Sequence, residues 1–319
     1  MKTMIVGGAG FVGSHLSEAL LAAGHEVTVV DSLLTGRESN IRQMLGDPAF
    51  CFIRRDAIAP ISDSEIAEWG EGIERIYYLA SPASPDDYFA YPIETLLVNS
   101  AGVYNFLQLA ERNNARFLLT STSEAYGDPL VHPQPETYWG NVNPVGPRSC
   151  YDEGKRFAES LTMAFVRNRT LDGRIVRIFN TYGPRMKAND GRVVSNFIYN
   201  CINGKPLVIY GDGSYTRSFC YVSDLVRGLI TVMEADSDIA SGEVFNLGNP
   251  DEYTILDFAK TILRLTSADV RINFEPARTD DPTRRKPDIT KVKTRLGWQP
   301  QVPLEEGLNK TIEWFRTQS

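Results

Sequence analysis

Short apolar runs alternate with longer stretches of helical spacing from the first residues onward. Thr3 to Gly7 is strand-like, Val12 to Ala23 reads as a helix, and Glu26 to Asp31 is strand-like again. The alternation continues through Cys51 to Arg55, Ile73 to Leu79, a helical stretch near Ile93 to Asn113, and Phe117 to Ser121. Near-continuous apolar strands separated by helices predict βαβ units around a parallel sheet covered on both faces. A helix over Tyr151 to Asn168, with strands at Gly173 to Phe179 and Glu243 to Asn246, extends that sheet past mid-chain. The expected fold is α/β, with a doubly wound parallel sheet.

After Tyr182 the character changes. A loop-rich stretch from Gly183 to Gly191 leads into a helix, a short strand and the turn signal Gly211-Asp212-Gly213, and Glu275 to Asp288 concentrates Pro, Asp and Arg without an apolar period. We therefore expect residues 1–182 to form the main parallel-sheet part, its sheet completed by about 217–249. Residues 183–216 and 250–319 are expected to form a smaller α/β subdomain that encloses a substrate at the carboxyl edge of the strands.

The most specific local signal is Gly7-Gly8-Ala9-Gly10-Phe11-Val12-Gly13, placed between a predicted strand and a predicted helix. Such glycines let the backbone turn sharply and approach a pyrophosphate at the helix N-terminus, which marks Gly7, Gly10, Phe11, Val12 and Gly13 as cofactor contacts in a Rossmann-type fold. A plain tight turn is the other reading of the glycines alone. The next strand ends at Asp31, where a carboxylate would accept hydrogen bonds from the adenosine ribose and repel a 2'-phosphate, favouring NAD over NADP. A helix cap is the alternative for Asp31, and a surface turn the alternative to an adenine contact for Asp56.

Composition narrows the remaining chemistry. With 319 residues, 42% hydrophobic and a net charge of -7, the chain has enough apolar material for a large core and no excess of positive charge for nucleic acid. Cys51, Cys150, Cys201 and Cys220 form no CxxC pair, and His15, His25 and His132 lie at no ligand spacing, so neither a disulfide framework nor a metal is expected. The start, MKTMIVGGAGFVG, has no basic n-region or cleavage site, and no run reaches about 18 apolar residues, which predicts a cytoplasmic protein with no membrane association.

Tyr151 and Lys155 lie four apart on one predicted helix, so an ammonium could lower the phenol pKa and favour a phenolate base. Fourteen tyrosines and nine lysines make the bare spacing common, but a strand ending in Ser121-Thr122-Ser123-Glu124-Ala125-Tyr126-Gly127 precedes it by about thirty residues. Together the glycine turn, Asp31, the hydroxyl residue and Tyr-x-x-x-Lys resemble the extended short-chain dehydrogenase/reductases over nearly the whole chain. That resemblance implies an NAD-dependent enzyme acting on a nucleotide sugar, with Tyr151 as base, Lys155 at the nicotinamide ribose and Thr122 sharing the substrate's hydrogen bond. It adds Ala80 and Asn99 as cofactor contacts, and implies a homodimer built through Ile93 to Asn113 and Tyr151 to Asn168. Arg177 to Arg185 and Tyr210 through Arg217 to Asp224 resemble the family's nucleotide-sugar stretches.

Family members share oxidation at sugar carbon 4 and differ in the fate of the 4-keto sugar. Thr122-Ser123-Glu124 is similar to the Thr-Ser-Glu of the UDP-glucuronate decarboxylases, where dTDP-glucose dehydratases carry Thr-Asp-Glu. Ala80 to Pro85 with Tyr88, Tyr138 to Pro144, Arg148 to Lys155, Asp190 to Phe197, and Asp280-Asp281-Pro282 with Arg284 to Asp288 agree with that branch. The resemblance implies decarboxylation of UDP-glucuronate to UDP-xylose with internal recycling of NAD. Ser123 would then be a second hydroxyl contact and Glu124 a positioner or proton-transfer group near the carboxylate. Ser84, Pro85, Tyr88, Asn180, Arg192, Val194, Tyr210, Arg217 and Arg285 would be substrate contacts. Arg217 and Arg285 are the candidates for the diphosphate, and Arg285 alternatively approaches the sugar carboxylate. The sequence departs from the branch at Tyr215, at Leu97-Val98-Asn99 and at Ala125, which keeps a 4-epimerase or 4,6-dehydratase as the second reading and a non-catalytic NAD sensor as the third.

Overall fold

The computed structural model describes residues 1–188, 190–277 and 282–318. Seven parallel strands form the main sheet: β1 (Lys2–Val6), β2 (Glu26–Asp31), β3 (Phe50–Arg54), β4 (Arg75–Tyr78), β5 (Arg116–Thr122), β6 (Gly173–Ile178) and β7 (Val244–Leu247). Their spatial order is β3-β2-β1-β4-β5-β6-β7, so the winding reverses between β1 and β4 and leaves a crevice at the strands' carboxyl ends. The helices used below are α1 (Phe11–Ala22), α2 (Pro85–Ala90), α3 (Pro92–Leu97), α4 (Val103–Asn113), α5 (Ser149–Arg169), α6 (Val193–Ile202), α7 (Val222–Glu234) and α8 (Ile255–Thr266).

Period-two alternation sets which helix each strand residue meets. Met4, Val6, Ile76, Tyr78, Phe117 and Leu119 pack with Phe106, Leu107 and Ala110 of α4 and Ala158 and Phe165 of α5. Their neighbours Ile5, Tyr77, Leu118 and Val176 point the other way, toward Leu16 and Leu20 of α1 and Leu225 and Leu229 of α7. Full burial of each such side chain is worth roughly 1.5–3 kcal/mol, and a one-residue slip would exchange the two faces, so packing pins the register.

One predicted helix is interrupted. The stretch from Ile93 to Asn113 folds as α3, a π-helical turn over Val98–Gly102, and α4. The Tyr78 hydroxyl donates to the Val98 carbonyl at 2.6 Å, and a Cβ on Gly102 would lie 2.4 Å from that hydroxyl. A buried tyrosine thus satisfies a carbonyl displaced from the helical ladder, and the missing side chain makes room for it.

Besides a short parallel pairing of Thr181–Tyr182 with Cys220–Tyr221, two small sheets lie beyond the main one: Thr216–Ser218 pairs with Glu252–Thr254 and Arg284–Arg285, and Leu207–Tyr210 pairs with Ile272–Glu275. They pack with α6 and α8, where Phe219 stacks on Phe258 with ring centroids 4.2 Å apart. The Asp280-Asp281 pair singled out above lies outside the described residues. Among the described residues no helix is long and apolar enough to cross a membrane.

Candidate active site

A cleft of about 810 Å³ runs from the glycine turn, past the ends of β1, β4 and β5, to the Arg284–Arg285 strand. At its first end the chain leaves β1 through Gly7, whose positive φ of 86° brings its backbone against Ala80; a Cβ there would sit 2.7 Å from the Ala80 nitrogen. Gly13 packs so closely on the turn that a Cβ would lie 2.2 Å from the Gly7 carbonyl oxygen. Helix α1 starts without a side-chain cap and without an acidic residue in its first turn. Its first amides, which have no partners within the helix, open where Gly10, Phe11, Val12 and Gly13 line the cleft. This is an unscreened anion site.

Asp31 closes the far wall. Its carboxylate accepts the amides of Ala9 at 2.9 Å and Leu33 at 2.8 Å; burial raises its pKa, and those two bonds work against the rise. Asp56 accepts the Ile58 amide at 2.9 Å and lines the same end, as does Ala80. Uncapped amides for a pyrophosphate and a carboxylate ringed by backbone for a ribose are a donor and acceptor set that fits a dinucleotide. Asn99 is placed differently. It lies behind the wall, donating to Ser81 Oγ at 2.9 Å and to the Thr95 carbonyl at 2.8 Å, and does not line the cleft.

Thr122 ends β5 and is hydrogen-bonded to Tyr151 near the start of α5. The Tyr151 ring stacks on Tyr88 of α2 at 5.1 Å with only 10° between planes. Lys155, one turn further along α5, donates from Nζ to the Thr120 carbonyl at 3.0 Å. Burial pushes Tyr151 up to about 12 despite the Thr122 bond, and burial pulls Lys155 down to about 7 against the pull of Glu159. Desolvation is the largest influence on both groups. Glu159, absent from the sequence reading, accepts from Ser121 at 2.5 Å and from Arg177 at 2.8 and 2.7 Å, tying α5 to β5 and β6.

Ser123 and Glu124 follow Thr122 in a tight turn, where the Glu124 amide donates to Thr122 Oγ1 at 3.2 Å. The Glu124 carboxylate receives Arg148 at 2.6 Å and both terminal nitrogens of Arg285, one of them at 2.9 Å. Burial would raise its pKa, but Arg148, Arg285 and Arg217 together hold it at about 2. Glu124 is thus held in its ionised form and positions two guanidiniums. Arg285, only 3% exposed, is bound to Glu124 and lines the cleft. Arg148 is a further residue of this site, and the sequence carries a local signal for it. It stands three residues before Tyr151, a helical spacing that signals a shared face.

Ser84, Pro85, Tyr88, Asn180, Arg192, Val194, Tyr210 and Arg217 all line the cleft with Thr122, Ser123, Glu124, Tyr151, Lys155 and Arg285. Ser84 donates to Asp87 at 2.7 Å, and Lys187 from the 183–192 loop bonds the same carboxylate at 2.7 Å. Arg192 is paired with Asp190 at 2.9 Å. Among the described residues no group of three or more His, Cys, Asp or Glu is arranged to hold a metal.

The family model described as GDP-mannose 4,6 dehydratase matches residues 4–311. The chain is 54% identical to UDP-glucuronic acid decarboxylase 1 of Danio rerio over 314 residues, covering 98% of this chain and 72% of that one. UDP-glucose 4-epimerase from Thermotoga maritima, solved with UDP-glucose, superposes with a TM-score of 0.89 at 31% identity, covering 100% and 99% of the two chains. UDP-glucuronic acid 4-epimerase from Bacillus cereus, in complex with UDP-glucuronic acid and NAD, gives a TM-score of 0.88 at 27% identity over the full length of both.

Proposed function

Because the chain belongs to the GDP-mannose 4,6 dehydratase family, and within it to the UDP-glucuronic acid decarboxylases, we propose that its cleft converts UDP-glucuronate to UDP-xylose with Tyr151 as the base. The chemistry NAD supplies is a reversible hydride sink at sugar carbon 4, so no external oxidant is consumed. Gly7 through Gly13, Asp31, Asp56 and Ala80 hold it. Tyr151 takes the proton of the carbon 4 hydroxyl, Thr122 and Ser123 orient that hydroxyl, and Lys155 supplies positive charge beside the phenol. With a ketone at carbon 4 the uronate is a β-keto acid, and the electrons released with carbon dioxide delocalise into an enolate.

The observation that carries this reading is the charge pattern at the sugar end. Arg148 and Arg285 bond the ionised Glu124, and Arg217 lies close enough to help hold its pKa down, so guanidinium groups of the kind that pair with carboxylates gather at that end of the cleft. We assign residues 1–182 with 217–249 to the NAD half of the cleft, and 183–216 with 250–319 to the nucleotide-sugar half. We further assign a homodimer contact to the adjacent helices α3, α4 and α5, which leave Ile93 62% and Phe157 52% exposed beside exposed Leu97 and Tyr104.

Incubation of the protein with NAD and UDP-glucuronate yields carbon dioxide and a UDP-pentose if the proposal is right. A UDP-uronate epimer without carbon dioxide refutes decarboxylation, and no turnover of any UDP- or dTDP-sugar points to a non-catalytic NAD binder. Tyr151→Phe abolishes oxidation while sparing NAD binding; near-normal turnover refutes the base assignment.

A further inference from the structure

Two carboxamides that do not line the cleft, Gln134 and Asn246, are fully buried behind it. The chain from Glu124 to Gln134 wraps around Arg285. Glu124 receives the guanidinium, and Asp128 Oδ1 accepts the amide of Thr283, two residues before Arg285, at 3.1 Å. Just after Arg285, the Lys286 amide donates to Gln134 Oε1 at 2.8 Å, and the Gln134 amide donates to the Lys286 carbonyl at 2.9 Å. Gln134 therefore holds both peptide planes of Lys286, and the first of these is the peptide bond that leaves Arg285. The Asp288 amide donates to the Gln134 carbonyl at 3.0 Å. Asn246 of β7 closes the group. Its Nδ2 donates to the carbonyls of Gln134 at 2.9 Å and Asp288 at 3.1 Å, and its Oδ1 accepts the hydroxyl of Tyr126, two residues after Glu124, at 2.8 Å.

We propose that Gln134 is a positioning residue that gives the site its preference for a sugar carrying a carboxylate: by fixing the backbone on which Arg285 stands, it aims that guanidinium into the cleft. The inference rests on the uronate reading above. A buried carboxamide costs free energy unless both its ends are bonded, and Gln134 meets that condition with main-chain groups, Oε1 on Lys286 and Nε2 donating to the Val131 carbonyl at 2.8 Å. Packing alone would be served by an apolar residue of the same volume. The Arg284–Arg285 strand lies at the edge of its sheet, paired only with Thr216–Ser218, so the Gln134 bonds supply what a second neighbouring strand would. Arg285 itself lines the cleft, and its Nε is buried with no hydrogen-bond partner among the described residues, which leaves a donor for a ligand. A guanidinium takes a carboxylate through two parallel bonds, a geometry that tolerates little tilt. A neutral hydroxymethyl group makes no such demand, so the uronate alone should feel the loss of Gln134.

The test is titration calorimetry of UDP-glucuronate and UDP-glucose on the NAD-loaded protein, with Tyr151→Phe in every arm to prevent turnover. Gln134→Met, similar in length and without polar groups, should weaken UDP-glucuronate by about tenfold or more, the scale of one charge-assisted hydrogen bond, and leave UDP-glucose within about twofold. Arg285→Met should do the same. The double variant should lose no more than Arg285→Met alone, because both changes act through one guanidinium. If Gln134→Met does not fold, Gln134→Asn, which withdraws the carboxamide by one carbon, carries the same expectation. Equal weakening of both sugars, losses that add in the double variant, or unchanged affinities each overturn the positioning role. If Arg285→Met leaves the preference for UDP-glucuronate intact, or the parent shows none, the uronate reading and this inference fall together. If Arg285→Met removes the preference and the Gln134 variant does not, only the role of Gln134 falls.

Discussion

Lys155→Met should make the protein more stable in mild acid while destroying its activity. Lys155 is 3% exposed, and burial lowers its pKa from 10.5 to about 7. The folded-state pKa lies below the unfolded one, so the cost of keeping the charge is complete below pH 7 and fades as pH rises toward 10.5. At about 1.4 kcal/mol per tenfold change in proton affinity, that cost is roughly 5 kcal/mol at pH 6. Methionine matches the buried stem and forfeits one bond, to the Thr120 carbonyl at 3.0 Å, worth about 1 kcal/mol. The variant should therefore gain roughly 3–4 kcal/mol at pH 6 and lose about 1 kcal/mol near pH 10.5, with a crossover between. Urea unfolding without added nucleotide, at pH 6 and pH 10 with the slope checked for constancy, measures this directly. A variant less stable than the parent at pH 6, or a gain equal at both pH values, refutes the reasoning. Turnover should fall by about 10²-fold or more in the same protein.

Gly13→Ala places a methyl 2.2 Å from the Gly7 carbonyl oxygen, so the turn must open; stability should drop by about 1–3 kcal/mol and NAD affinity at least about tenfold by equilibrium dialysis. Unchanged affinity would show that the turn does not hold the cofactor. Ile93→Glu combined with Phe157→Glu should halve the mass seen by sedimentation without loss of folded structure, and an intact dimer in that variant would place the contact elsewhere.

Much of this arrangement is legible before any coordinates. Alternating apolar strands, the glycine turn and Asp31 each depend on neighbours a few residues away, and all fall where the pattern puts them. Features that depend on contacts distant in the chain were not legible. Nothing near Val98 signals the π-helical turn, because its cause is the hydroxyl of Tyr78, twenty residues earlier. Nor does local spacing reveal that Arg285 meets Glu124, 161 positions away, or how deeply Tyr151 and Lys155 are buried. Arg148 is the exception: its helical spacing from Tyr151 is a local signal.

The double hold on Glu124 has a consequence for synthesis. One guanidinium comes from the helix that follows it closely, the other from a strand that pairs with Thr216–Ser218. A nascent chain that has released its first two hundred residues from the ribosome carries six of the seven strands of the main sheet and only one of the two guanidiniums bonded to Glu124. The reacting end matures only when Arg285 emerges and docks. A translation product truncated before that point lacks the strand that carries Arg285 to Glu124.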